Sequence, residues 1–328
     1  MLLLLLLFTP GVTAEDIAEF QKKLRVGRVS QIQKAQWNKC GRPKNQYIVF
    51  NDNSTFCARY RHPHDKLIHG EILSFYLSRM LGLDSVPVVM LSQVNSTSPQ
   101  WRGHNLTKTE WQQGTIIALI QWIHQLTYKE SQVTIPTVIL DAYENGYAFN
   151  WTHPALRRMT AGQVQVLLQW SDLILFDYIT GNYDRVASMQ DGAYEKGSSD
   201  IMREHIRNLR QNWQTHKMWL IDNESGLLDS YELMYNGGES GLRFVNFHQR
   251  MLKSNCIFRR STVGQIKQLA DSDDPAYVLM KHTEHYDSLY HKLPVNSKCF
   301  KIFTANFHNR LKEILDWVQS CKAIGRTL

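Results

Sequence analysis

The sequence predicts an α+β protein in which a β-rich first part precedes a larger, mainly helical one. Three observations predict it. Residues 47–50 and 55–60 flank a polar turn as the arms of a β-hairpin do; the long apolar elements after residues 160 and 303 repeat at helical spacing; and 328 residues with 43% apolar content suit one large or one two-lobed domain.

The chain opens with an apolar run over residues 2–8, a Pro10 breaker and small residues to Ala14, the shape of a signal peptide cleaved after Ala14. The run is too short for a bilayer, which takes about 20 apolar residues. No Lys or Arg precedes it, so either the amino group alone supplies the leading charge or a longer signal-anchor stands upstream. Both readings place the chain in the secretory pathway, and membrane association rests only on such an N-terminal anchor.

Residues 15–39 are expected to form a helical extension, with charged and apolar positions at helical spacing over 15–35. The hairpin follows, its turn Asn51-Asp52-Asn53-Ser54 rich in residues that tolerate left-handed geometry. A helix is predicted over about 65–83, with Asp65 as cap, Leu67, Ile68, Ile72, Phe75, Tyr76 and Met80 at helical spacing, Glu71 in its middle and Gly82 at its end. Residues 86–94 read as a strand, 95–105 as an exposed loop, and 115–125 as strand or helix.

Thr160 is a good N-cap for a helix that is apolar nearly all round, hence deeply buried, and that runs into the polar turn Gly181-Asn182-Tyr183-Asp184-Arg185. About 30 polar residues lead to a strand over 218–221, closed by Asp222-Asn223-Glu224-Ser225-Gly226. An amphipathic helix over 303–323 completes the chain.

The formal charge of +7 is scattered, with no run of Lys and Arg longer than a pair such as Arg157-Arg158, so no nucleic-acid footprint is present. The 13 His residues form no zinc motif; His62 and His64 flank Pro63 on a loop, where solvated side chains are expected. Five cysteines without CxxC spacing point to disulfides in an oxidising compartment. The expected pairs are Cys40 with Cys57 and Cys256 with Cys321, leaving Cys299 over, although spacing alone does not fix connectivity. Asn53, Asn95, Asn105 and Asn150 head sequons and are the expected glycosylation sites. A fifth sequon begins at Asn223.

Three acidic residues are each anchored to a regular element: Glu71 within a helix, Asp184 after a buried helix, Asp222 after an apolar strand. Taken singly they have bland readings. Glu71 suits a helix-surface charge on the same helix as Lys66 and Arg79, Asp222 suits a turn, and Arg59 suits any structural carboxylate. Taken in order with Arg59 they form the set that phosphoryl transfer requires: a cation on the phosphates held by a helical Glu, a carboxylate for the acceptor hydroxyl and another for a metal.

The segments Cys40-Gly41-Arg42, Cys57-Ala58-Arg59-Tyr60 and Gly70-Glu71-Ile72-Leu73-Ser74-Phe75-Tyr76-Leu77 resemble the N-lobe of the four-jointed family. Residues 169–185, ending Gly181-Asn182-Tyr183-Asp184-Arg185, and Leu220-Ile221-Asp222-Asn223-Glu224-Ser225-Gly226-Leu227 are similar to its catalytic and metal-binding motifs, with Cys256-Ile257-Phe258-Arg259 and Ser320-Cys321-Lys322-Ala323 extending the likeness to the end. The resemblance implies a two-lobed atypical protein-kinase-like fold, with a small β-rich N-lobe over about 40–125 and a mainly helical C-lobe over about 126–328. It further implies a Ser/Thr kinase of the Golgi lumen, secreted or both, related to the secretory casein-type kinases. Such an enzyme uses ATP with Mn²⁺ or Mg²⁺ on extracellular domains, namely cadherin repeats of the planar-polarity cadherins. By matching motifs Asp184 is the catalytic base, Asp222 the metal ligand, Glu71 the helical Glu and Arg59 the phosphate-side cation. Asn223 and Glu224 fall beside the metal, which leaves the fifth sequon unmodified. Asp177 is expected to brace the catalytic loop.

Two departures stand out. Arg59 occupies the place of the usual strand Lys, a change of donor geometry rather than of charge. Five residues after Asp184, where kinases place a metal-binding Asn, stands Met189, whose thioether suits neither Mg²⁺ nor Mn²⁺. Gln190 or Asp191 takes that place if the loop is shifted. Met189 therefore supports an alternative: a weak or inactive pseudokinase acting as a secreted binding protein.

Overall fold

The computed structural model describes residues 14–324; of the expected leader over 1–14, all but Ala14 lies outside the described residues. Helix α1 (Ala14–Val26) is followed by five strands of one antiparallel sheet and helix α2. The strands are β1 (Val29–Lys34), β2 (Gln46–Phe50), β3 (Thr55–Arg59), β4 (Val89–Gln93) and β5 (Ile116–Gln121), in spatial order β1-β2-β3-β5-β4, and α2 (Lys66–Met80) lies between β3 and β4 in the chain. The helical remainder contains α3 (Thr137–Asn145), α4 (Ala161–Thr180) and α5 (Val186–Lys196), then a ribbon of β6 (Leu209–Gln211) and β7 (Met218–Leu220). It ends with α6 (Leu228–Asn236), α7 (Gly238–Lys253), α8 (Arg260–Ala270), α9 (Pro275–Tyr286) and α10 (Ser297–Ile324).

The hairpin, the strand at 86–94, the buried helix after Thr160 and the C-terminal helix all form where their patterns predict. Thr160 and Gln163 close a capping box on α4. The ambiguous stretch 115–125 becomes a strand, because alternate residues feed two different cores. Ile116, Ala118 and Ile120 pack towards α2 and the helical lobe, whereas Ile117 and Leu119 face a second cluster with Ile48, Phe56, Met90 and Trp101. A sheet buried on both faces leaves no room for a helix here.

The helical extension expected over 15–39 is corrected. Helix α1 stops at Val26, and residues 29–34 pair with β2 as the sheet's edge strand, so the sheet begins upstream of residue 40. Val29 is fully buried in the second cluster, and ladder hydrogen bonds at a sheet edge outweigh a loose helical spacing. Asp65 makes no side-chain cap bond on α2; its carboxylate instead lies 3.5 Å from His62 Nδ1. Within the polar stretch after Asp184 the structure adds α5, which the polar composition concealed.

Helix α2 is buried from Ile68 through Ser78 because it is sandwiched between the sheet and the helical lobe. On its far side Asp287, with a fully buried carboxylate, accepts from Leu91 N of β4 at 2.8 Å and pairs with Arg25 of α1 at 3.0 Å. The lobes are thereby tied at the back as well as through α2. Both expected disulfides, Cys40–Cys57 and Cys256–Cys321, are present, and Cys299 is free and buried. No described helix is long and apolar enough to cross a membrane.

Candidate active site

The site lies where β3, α2 and the loop after β7 meet. Alternation along β3 turns Phe56 and Ala58 into the second core and so sends Arg59 to the opposite face, towards α2. Gly70 lets the two segments touch. A Cβ there would lie 2.5 Å from the Glu224 carbonyl oxygen, so only glycine allows this approach. The next residue, Glu71, accepts from the backbone N–H groups of Asn223 at 3.0 Å and Glu224 at 3.1 Å.

Arg59 Nη1 is 2.5 Å from Glu71 Oε1 and 3.2 Å from Glu224 Oε2, and it also donates to Asp222 Oδ1, 163 residues away in sequence. Arg61 Nε donates to Glu224 Oε2 at 2.5 Å, and Arg42 Nη1 stands 3.4 Å from Glu224 Oε1. Oxygens of Glu71, Asp222 and Glu224 lie within 4.8 Å of one another, an all-oxygen donor set that fits a hard divalent cation such as Mn²⁺ or Mg²⁺. Glu71 Oε2 is buried with no hydrogen-bond partner, an acceptor left for a ligand. Asp222 and Leu227, at the two ends of the loop, hold φ values of 57° and 56°, conformations that cost non-glycine residues ~1–3 kcal/mol and cluster at functional sites.

Burial works to raise the Asp222 pKa, but Arg59, with Arg61 and Arg42 behind it, holds the carboxyl below its usual range. Burial pushes Glu71 upward, assisted by the like charges of Asp222 and Glu224 and opposed by Arg59.

Asp184 follows α4. Gly181, at φ 65°, turns the chain, and a Cβ on it would strike Met234 Cε at 2.3 Å. The half-buried Asp184 carboxylate accepts from Asn208 Nδ2 at 3.0 Å. Burial first, then the neighbouring Asp222 charge, push its pKa up. Arg185 is fully buried behind it, pairing with Asp177 and donating to Asn208 O at 3.0 Å, Ile221 O at 3.2 Å and Asn223 Oδ1 at 2.8 Å. Asp177 is thus the brace the sequence anticipated.

The structure alters the ligand set in one respect. Asn223 is turned away from the carboxylates, with Oδ1 on Arg185 and Nδ2 on Leu220 O at 2.9 Å, so Glu71 rather than Asn223 completes the oxygen cluster. It is also 1% exposed, which closes the fifth sequon. Asn53 and Asn105 are exposed and Asn95 and Asn150 partly so.

Met189 is buried on α5, while Gln190 accepts from Tyr143 OH at 3.1 Å and Asp191 pairs with Arg243 at 3.2 Å, so the helix takes both away from the centre. Arg42, Arg61 and Asn208 were not singled out from sequence. Arg61 had a usable signal, being two residues beyond Arg59; Asn208 had none.

The sheet-and-helix lobe, the mainly helical lobe and the acidic cluster where they meet define a kinase-like fold. Solved structures agree: the Golgi casein kinase (TM-score 0.52, 11% identity, 95% of this chain and 76% of that one) and hydra Fam20 with sugar (TM-score 0.52, 14% identity, 94% and 90%) share it. A further structure, the Golgi casein kinase with Mn/ADP bound, matches with a TM-score of 0.50 and 10% identity over 94% of this chain and 77% of that one. At such identities the likeness is one of fold.

Residues 15–324 match the four-jointed box protein middle domain, and the chain belongs to the four-jointed box family. It is 27% identical over 293 residues to Four-jointed box protein 1 of Xiphophorus maculatus (86% of this chain, 62% of that protein). It is also 27% identical over 305 residues to the extracellular serine/threonine protein kinase four-jointed of Drosophila melanogaster (79% and 49%). The chain spans about half to three-fifths of these relatives' length.

Proposed function

We propose that this chain is a secretory-pathway protein kinase that transfers the γ-phosphate of ATP to Ser or Thr of extracellular domains, cadherin repeats being the substrates its family implies. The carrying observation is the convergence of Arg59, Glu71, Asp222 and Glu224 on one point, with Asp184 in electrostatic contact beside them. The relatives include an extracellular kinase and the shared fold is that of a Golgi casein kinase, which with two disulfides supports the Golgi lumen or the cell exterior as its location. In that compartment Asn53, Asn95, Asn105 and Asn150 carry glycans.

In this reading Asp184 accepts the acceptor hydroxyl's proton. Its raised pKa moves it towards the working range of a general base, and Asn208 fixes its orientation. Arg59, anchored by Glu71, presents a permanent cation to the phosphates. Asp222, Glu224 and Glu71 would hold Mn²⁺ or Mg²⁺, which when bound neutralises charge on the phosphates.

One observation favours the second reading, a weak or inactive pseudokinase: α5 withdraws Met189, Gln190 and Asp191 from the place of a second metal ligand. Transfer from ATP to a purified cadherin repeat, compared between wild type and Asp184→Asn, separates the two. The kinase reading expects a fall of about 10²- to 10⁴-fold with ATP binding kept. Equal rates in both proteins sink the assignment, and cadherin binding without nucleotide binding establishes the pseudokinase.

A further inference from the structure

We infer that the β1–β2 connection, residues 35–45, is a disulfide-stapled cap over the nucleotide phosphates in which Arg42 is the phosphate-binding residue; this rests on the kinase reading above.

Kinases cover the phosphates with the loop between their first two strands, a glycine-rich one. This chain has no such glycine pattern there, yet the same connection reaches the site. Its course is fixed at three points. Cys40 is bonded to Cys57, two residues before Arg59 on the same face of β3. Asn45, buried, donates to Cys40 O at 2.7 Å and accepts from Arg61 Nη1 at 2.8 Å. Trp111 Nε1 donates to Lys44 O at 2.6 Å. A glycine-rich loop gains its close approach by flexibility; this one gains it from a covalent staple, with Cys40 and Gly41 turning the chain at φ 65° and 70°.

Three cations ride on the loop, and their surroundings separate them. Lys39 Nζ lies 3.5 Å from the centre of the Tyr47 ring and donates to Gln33, and Lys44 points over the Tyr60 ring at 6.0 Å. Arg42 alone of the three reaches a carboxylate of the site, Glu224, at 3.4 Å. Its side chain is 62% exposed, so that ion pair is weak and readily exchanged.

Charge gives the reason for a phosphate partner. Arg59, the inner cation of the phosphates, is shared with Glu71, Asp222 and Glu224, Arg61 is buried against Glu224, and Asp184 adds a fourth carboxylate nearby. Four carboxylates against two buried arginines leave the inner site without net positive charge for a polyphosphate even with a divalent cation bound, so a further cation beside it is called for. Arg42 is the cation on the solvent side, and its planar donors match phosphate oxygens.

The test measures dissociation constants of ADP, pyrophosphate and adenosine, each with Mn²⁺, for the full chain, Arg42→Ala, Arg42→Lys and the remote surface control Arg157→Ala. Arg42→Ala is expected to weaken ADP and pyrophosphate about tenfold while leaving adenosine unchanged, Arg42→Lys to recover part of the loss, and Arg157→Ala to match wild type. Wild-type binding with unchanged ADP affinity in Arg42→Ala, or equal losses for ADP and adenosine, overturns the inference alone. A wild type that binds none of the three ligands removes the kinase reading and the inference with it.

Discussion

Two buried arginines, Arg59 and Arg185, stand on opposite sides of Asn223, and only one of them is closed. Arg185 has one carboxylate, Asp177, two carbonyls and one amide oxygen, and none of its nitrogens lacks a partner. Arg59 faces three carboxylates, its Nε has no partner, Glu71 Oε2 has none either, and the Asp222 side chain is 31% exposed. A matched ion pair inside a protein is scaffold. A surplus of oxygen ligands opening to solvent is what the kinase reading assigns to a divalent cation. Asn223 joins the two, its side chain serving Arg185 and its backbone N–H serving Glu71.

The sharpest way to break this contrast is to remove each arginine. Arg185→Met strands the buried Asp177 carboxylate and is expected to cost about 3–5 kcal/mol in urea unfolding, with no recovery on adding Mn²⁺. Arg59→Met leaves carboxylates that a divalent cation can hold, so its smaller loss, about 2–3 kcal/mol, is expected to be largely recovered in millimolar Mn²⁺. Equal behaviour of the two variants towards Mn²⁺ would erase the distinction.

Asp222→Ala sharpens it further. Arg59 retains Glu71 and Glu224, so metal-free stability should move by no more than about 1 kcal/mol. The stabilisation by ATP with Mn²⁺, about 3 kcal/mol at a hundredfold excess over Kd in wild type, should vanish from thermal melts. A retained shift would locate the metal elsewhere.

The smallest effect distinguishes titration of the scaffold from titration of the site. His69, two residues before Glu71 and packed between the Tyr290 and Phe300 rings, has its pKa lowered by burial to about 4, against 6.5 for the free side chain. Between those values the unfolded chain binds a proton that the folded chain does not, so stability is full above about pH 6.5 and falls as pH drops towards 4. His69→Phe should flatten that decline by up to one proton, read from urea unfolding between pH 7 and 4.5. An unchanged slope would assign the acid sensitivity to other groups.

Glu71, Asp184 and Asp222 were legible because each sits at a fixed place on an element whose pattern is local: mid-helix, after a capped apolar helix, after an apolar strand. Asn208 was not, since it precedes a three-residue strand and matters only because that strand brings it to Asp184. The misplaced metal role of Asn223 has the same origin. Nothing in Asp222-Asn223-Glu224 states which side chain turns towards Glu71 and which towards Arg185.

Local pattern and motif order sufficed for the succession of a β-rich part and a helical one and for the acidic residues of the candidate site, because spacing, capping and motif order act along the chain, whereas the disulfide pairing was expected from sequence but fixed only by the fold. Tertiary structure alone decided that residues 29–34 join the sheet, that Arg42 and Arg61 reach Glu224, and that Asn223 faces inward. Those outcomes depend on pairings such as the 163 residues between Arg59 and Asp222, which compete across the whole core and leave no periodic trace in the residues that make them.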